Sequence, residues 1–355
     1  MLKERNSSFE LLRILSMILI VMHHYAIHAG FDFTAPLSLK LYYIQCLNMG
    51  GKIGVNLFVL ISGYFLCTST FSIKRIIKLE LQVIFYSILI PVLFFAFMPN
   101  KVTVIDILKG VTPLRSRLYW FYTVYFFLAV ISPFLNKMIS AMKKKDLRQL
   151  IFILAVFWIL TPLLPKFGTF LYSLSGWFIF LYLCAAYIRL YPEDFSKSSY
   201  FYIYMGIATY LLILLYVLSF DLLGLFDMKF REKINYYIPE RNILVFFSSA
   251  MLFTGFSKLN LGTRKMLNSV SSAMFGVYLI HDNTFSRDFL WRDFFQNARW
   301  QNSNWIFLHA IIAISSVLIL STLIDKARQF IFGKAVFPII DRVTEKIRPT
   351  DSGKI

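Results

Sequence analysis

Long apolar runs recur along the whole chain, each broken by a short polar or basic stretch. Ten of them approach the ~20 residues that an α-helix needs to cross a bilayer. They lie at roughly 8–28, 52–69, 75–97, 118–139, 149–165, 169–190, 200–220, 242–258, 270–287 and 304–325. The pattern predicts an all-α fold, a polytopic membrane helical bundle of about ten transmembrane helices. A β-barrel would instead show alternating segments of about ten residues, which the chain lacks. Two neighbouring runs, 149–165 and 169–190, meet at a tight Pro-Lys-Phe-Gly turn, and 270–287 is short and polar. No loop much exceeds about 25 residues, so no separate soluble domain is expected. The first run is too long and too polar for a cleaved signal peptide.

Composition agrees with this reading. The 355 residues are 58% hydrophobic and 16% charged, against about 25% charged in a soluble domain. Mean hydropathy is +0.63. The formal net charge of +18 is read as basic loops facing anionic lipid, not as a nucleic-acid surface. With the N-terminus inside, inner segments hold about 21 Lys and Arg against about 14 outside, which places both termini in the cytoplasm. The short cluster of Lys143, Lys144 and Lys145 is then inside. Cys46, Cys67 and Cys184 are scattered without metal-ligand spacing, so no metal is expected.

The run 8–28 carries more ionisable groups than a structural membrane helix needs. At 100° per residue, Glu10, Arg13, Met17, Val21, His24 and His28 share one stripe, and His23 points about 100° away from His24. A charge at bilayer depth costs about 2.5–3.5 kcal/mol on insertion scales and marks a functional site by default. Glu10 and Arg13, at i,i+3, suit an ion pair; the plainer reading has Arg13 snorkelling to the surface. His24 lies about 16.5 Å beyond Arg13 on the same face. A neutral imidazole there suits a general base or an acyl acceptor. His23 and His28 read as bystanders.

Later segments add candidates. In GKIGVNLFVLISGYFL, Gly51, Gly54, Ser62 and Gly63 make a small-residue face suited to close helix packing, and Asn56 calls for a hydrogen-bond partner on a neighbouring span. Lys74, Arg75 and Lys78 follow; they serve either as a positive-inside anchor or as a phosphate-binding patch for an anionic donor. Trp120 and its tyrosines suit an interfacial aromatic belt or a sugar platform. The outer loop 221–241 holds Asp227, Arg231, Glu232, Lys233, Tyr236, Tyr237, Glu240 and Arg241, an acceptor surface or an ordinary solvated loop. Tyr278, His281 and Asp282 share a helical face, with His281 expected at the depth of His24, where the two histidines could converge.

Four segments taken together resemble the acyltransferase 3 family of bacterial integral-membrane O-acyltransferases. Glu10, Arg13 and His24 match a (D/E)-x-x-R-x10-H pattern. Phe58, Ser62, Gly63, Tyr64 and Leu66 match an F-x-x-SG-(F/Y)-x-L pattern with one extra residue before the serine. Trp120, Tyr125, Ser132, Pro133 and Asn136 form a third segment, and Phe275, Gly276, Tyr278, Leu279, Ile280 and His281 a fourth. SSFELLRILSM and SPFLNKMI are similar to Gram-positive capsule and exopolysaccharide O-acetyltransferases.

The resemblance implies a membrane domain over 1–333 and a basic cytoplasmic tail over 334–355, in the plasma membrane. It implies an acyl donor, acetyl-CoA, and an acceptor hydroxyl on an envelope carbohydrate. Arg13 and His24 are then the required pair, with Glu10 and His281 as further catalytic candidates. Arg75, Lys78 and Lys74 would bind the donor, Lys78 replacing the second Arg of an R-x-x-R pair and losing its fork. Trp120, Tyr278 and Ser62 would contact substrate. No fused extracellular hydrolase-like domain is expected. The alternative is a transporter or exporter of an envelope sugar or lipid-linked precursor, which would use the same intramembrane charges without chemistry. A sensor or scaffold would leave the Glu10–Arg13–His24 stripe unexplained.

Overall fold

The computed structural model describes residues 6–160, 172–227, 229–232 and 238–346. The Pro-Lys-Phe-Gly turn, Lys233, Tyr236, Tyr237 and everything past 346 lie outside the described residues, as do Lys3 and Arg5.

The described residues are helical, with no strand among them. Six helices are long and apolar enough to cross a membrane. They are α1 (Ser7–Ile27), the nearly continuous pair α2 (Leu39–Met49) and α3 (Gly51–Leu66), α4 (Ile73–Phe97), α6 (Trp120–Ala141), α9 (Ser199–Leu223) and α15 (Ile306–Ala335). The short α5 (Val104–Lys109) sits between α4 and α6, α7 is Lys144–Ala155 and the one-turn α10 is Lys229–Glu232. Two apolar helices are shorter, α8 (Leu174–Leu190) and α11 (Ile243–Lys258). The segment expected as one span at 270–287 is instead three pieces: α12 (Lys265–Ser271), α13 (Met274–His281) and α14 (Thr284–Asp288). Polar Ser271, Ser272, Asp282 and Asn283 stand at the breaks, where a hydropathy average blurs them into their apolar neighbours. The boundary expected at 333 falls inside α15, and a further helix, α16 (Phe337–Lys346), follows it.

The stripe-bearing α1 is the hub, packed by α2, α3, α11, α12, α13 and α15. Its start is pinned by polar contacts to the link between α11 and α12. The Asn6 side chain caps the helix by accepting from the Ser8 amide at 3.1 Å, and the Ser7 amide donates to the Gly262 carbonyl at 2.9 Å. The Arg264 amide donates to Ser7 Oγ at 2.7 Å, and Ser8 Oγ donates to the Leu259 carbonyl at 2.7 Å. These bonds set the axial position of α1, hence the depth of its ionisable groups.

The small-residue face of α3 works as close packing. A Cβ on Gly51 would lie 2.3 Å from His23 Cγ, so only glycine lets α3 approach the His23–His24 turn of α1. Asn56 finds its partners: it donates to the Glu240 carbonyl at 2.8 Å and accepts from the Trp177 indole at 2.9 Å. The SPFLN segment of α6 is also structural. Pro133 offers no N–H to the Ala129 carbonyl, and the Ser132 hydroxyl donates there instead at 2.9 Å. Asn136 then ties α6 to the Leu66 carbonyl at 2.9 Å and accepts from Tyr182 at 2.5 Å.

Gly276 does for α13 what Gly51 does for α3. A Cβ there would lie 2.1 Å from the Asp325 carboxylate of α15. That carboxylate is fully buried but well partnered: Arg328 Nε donates to it at 2.7 Å, Tyr86 at 2.9 Å and Gln329 at 2.7 Å. A buried carboxylate so satisfied is a structural clamp on α4, α13 and α15.

Candidate functional site

α1 and α13 meet through their histidines. His24 Nδ1 lies 2.9 Å from His281 Nε2, and His281 Nδ1 lies 2.6 Å from the Val277 carbonyl oxygen one turn back. A carbonyl only accepts, so His281 Nδ1 carries the proton. With both rings neutral, His281 Nε2 accepts, His24 Nδ1 donates, and His24 Nε2 keeps its lone pair. Both residues are buried. The convergence expected from sequence is therefore present, and it assigns a tautomer to His24.

Around this pair, Asp282 Oδ1 lies 3.7 Å from His24 Nδ1 and 3.7 Å from Arg287 Nη1. His24, His28 and Asp282 each bring one ligand atom within 4.8 Å of the others, the makings of a two-histidine, one-carboxylate metal group. Arg287 already supplies positive charge to the same carboxylate, and His24 Nδ1 is engaged by His281.

His24 opens on a narrow cleft of about 20 Å³, lined by Met17, Val55, Phe58, Trp120, Phe121 and Tyr278 among others. Trp120 and Tyr278, two of the substrate-contact candidates, thus flank His24. The Tyr278 hydroxyl is buried with no hydrogen-bond partner among the described residues. Tyr119 holds the wall by donating to the Leu279 carbonyl at 3.0 Å and accepting from Asn283 at 2.9 Å. Ser62 is elsewhere: its hydroxyl turns back to the Phe58 carbonyl at 2.8 Å, and it is not among the cleft's lining residues.

Glu10 and Arg13 form the ion pair that their spacing suggested, at 2.5 Å. Ser271 of α12 completes it, donating to Glu10 and accepting from Arg13 Nη1 at 3.3 Å. The Arg13 side chain is 27% exposed and Glu10 10%, so Glu10 anchors a guanidinium that keeps an open edge. Eleven residues of helix separate Arg13 from His24, about 16.5 Å.

The basic triplet past α3 sits apart from both. Lys74 and Lys78 pair with Asp341 of α16 at 2.8 and 3.4 Å, and Lys78 also lies 4.1 Å above the Phe337 ring. Arg75 donates to the Thr70 carbonyl at 2.6 Å. Among the described residues, Lys74 and Lys78 are brought together and Arg75 is turned to its own loop.

Sequence reasoning passed over Ser271, Arg287, Lys52 and Tyr119. Ser271, Lys52 and Tyr119 matter through partners remote in the chain, and Arg287 through Asp282 across the break between α13 and α14, which no helical spacing signals.

Six helices long and apolar enough to cross a membrane, with a buried histidine pair between α1 and α13, define a helical membrane protein with a polar internal site. The acyltransferase domain family, Acyl_transf_3, matches residues 6–326, and the chain belongs to that family. The matched range covers α1 to the Asp325 clamp and includes both histidines. No curated protein and no solved structure matches the chain.

Proposed function

We propose that this chain is a multi-pass plasma-membrane O-acetyltransferase. It moves an acetyl group from cytoplasmic acetyl-CoA to a hydroxyl of a cell-envelope or capsular polysaccharide. The observation that carries the reading is the Val277–His281–His24 hydrogen-bond chain, which leaves the His24 Nε2 lone pair for chemistry. Family membership supplies acyl transfer; acetyl, coenzyme A and carbohydrate are the resemblance's contribution.

In this reading His24 Nε2 takes the proton from the acceptor hydroxyl as its oxygen attacks the thioester carbonyl. The C–S bond breaks, the ester C–O bond forms, and the proton passes from His24 to the leaving thiolate. His281 holds the tautomer, and Asp282 offsets positive charge developing on His24. Arg13, oriented by Glu10, meets the donor's anionic or carbonyl oxygens. Lys74 and Lys78 are the outer donor contacts and must exchange Asp341 for phosphate. The ~16.5 Å between Arg13 and His24 requires a long, thin donor arm lying along α1.

The test is transfer from labelled acetyl-CoA in proteoliposomes, with His24→Ala and Arg13→Ala alongside. Full activity in either variant removes that residue from the mechanism. NMR of the envelope polysaccharide from cells with and without the protein reads the acceptor. Loss of an O-acetyl signal supports the proposal, and unchanged spectra refute the acceptor.

A further inference from the structure

A second, larger pocket of about 390 Å³ lies on the other side of the His23–His24 turn. His23, Asn48 and Lys52 supply its polar edge, and Phe31, Phe33 and Met49 part of its apolar wall. It adjoins the His24 cleft through one contact: Lys52 Nζ lies 5.6 Å from the ring centroid of Trp120, which lines that cleft.

Lys52 is held in an unfinished ion pair. Its Nζ is 3.7 Å from Glu240 Oε2, beyond direct hydrogen-bond range. Glu240 is held in place on its side of the gap. Tyr172 donates to the other Glu240 oxygen, and the Asn56 bond to the Glu240 carbonyl anchors the backbone. Glu240 is buried, whereas the Lys52 side chain is 33% exposed. A hydroxyl placed between them would donate to the carboxylate and accept from the ammonium at once. The Trp120 ring is 36% exposed and offers a flat apolar face beside the same ammonium.

We propose that this pocket is the acceptor subsite and that it takes a sugar ring, with a ring hydroxyl bridging Lys52 and Glu240 and a C–H face against Trp120. Paired donors and acceptors around aromatic planes fit a polyhydroxylated ring better than a lipid chain or a free anion. A volume of about 390 Å³ lies at the lower end of small-molecule sites, ~300–1,000 Å³, and suits a single ring. The inference rests on the transfer reading above and adds which residues choose the acceptor. His23 is structural here: its Nδ1 donates to the Asn48 carbonyl at 2.9 Å.

The experiment uses the full chain in proteoliposomes, labelled acetyl-CoA, and oligosaccharide fragments released by mild acid from the source cells' envelope polysaccharide. Lys52→Gln and Trp120→Ala should each raise the acceptor KM at least tenfold, leave the acetyl-CoA KM unchanged and retain most of kcat. Lys52→Arg should recover much of the loss. A packing role alone would lower kcat or yield without this split. An acceptor KM unchanged in both variants overturns the proposal. If the wild type moves no acetyl group, the transfer reading fails, and the pocket is judged by direct binding. Tryptophan fluorescence should then respond to the fragments in the wild type and not in Trp120→Phe. An equal response in both, or none in either, overturns the subsite.

Discussion

His24 Nδ1 and His281 Nε2 stand 2.9 Å apart, and the second ring is itself held by the Val277 carbonyl. One imidazole thus sets the proton position of the other, as a carboxylate orients a histidine in hydrolase triads. Removing His24 should lower acetyl transfer by about 10²–10⁴-fold, the usual contribution of a general base. His281→Ala should cost less, because His24 remains but loses its fixed tautomer. His281→Gln, which can still accept from His24 Nδ1 through its amide oxygen, should retain more activity than His281→Ala. Initial rates at saturating donor and acceptor check the order. Equal loss in the two His281 variants would argue against tautomer control.

Arg13 and Glu10 should behave as one unit. The ion pair at 2.5 Å shares Ser271, so either single neutralisation leaves the other charge with a poorer partner. Glu10→Gln and Arg13→Gln should each destabilise the protein, and the double variant should lose less than the sum. A coupling of about 0.5–3 kcal/mol is expected for residues in one network. Unfolding in detergent by all four members of the cycle measures it. Additive losses would show that the two charges act independently. Arg13→Lys keeps the charge but not the fork, and should lose activity with little loss of stability.

Much of this arrangement is legible in one dimension, and the reason is helical periodicity. Glu10, Arg13 and His24 declare themselves because a membrane run has no other use for them on a single stripe. The Glu10–Arg13 pair follows from i,i+3 spacing alone. Hydropathy misreads 270–287 as one span because it averages across Ser271, Ser272, Asp282 and Asn283, the residues that end one short helix and start the next. Ser62 reads as a site residue through its motif, yet its hydroxyl serves its own helix, while Gly63 fits against Tyr182 of α8. The Lys52–Glu240 gap is invisible in sequence because it depends on how a loop folds back over α3.

Gly51 should be intolerant of any side chain. The α1–α3 contact leaves 2.3 Å between a Cβ there and His23 Cγ, and His23 cannot swing away without losing its bond to the Asn48 carbonyl. Gly51→Ala should destabilise by about 1–3 kcal/mol, the range for overpacking a tight core. It should also disturb His24, the next residue, so activity should fall further than stability alone explains. Thermal unfolding in detergent and transfer assays below the transition separate the two effects. A variant with wild-type stability would mean that the α1–α3 contact is looser than its geometry indicates.

The last prediction concerns α16, which lies over the basic residues nominated for the donor. Lys74 and Lys78 share Asp341, and Phe337 sits beneath Lys78. Donor phosphates would have to displace that carboxylate, so Asp341→Asn should lower the acetyl-CoA KM by about two- to fivefold, the modest effect expected of exposed pairs. The lysines hold the Asp341 carboxyl below its ordinary value, Lys74 contributing most through its hydrogen bond. A depressed carboxylate keeps its pairing above the ordinary carboxylate range and loses it only as pH falls through the lowered value. Docking of α16 should therefore be insensitive to pH between about 5 and 8 and sensitive to salt, which screens exposed pairs over ~8–10 Å. Hydrogen exchange of the 337–346 amides, corrected for intrinsic rate, follows the docking. Protection that fell with salt but held across that pH range, together with a lower donor KM in Asp341→Asn, would identify α16 as a competitor for the donor's place. An unchanged KM would leave α16 as an anchor on α4 and move the donor's phosphates elsewhere.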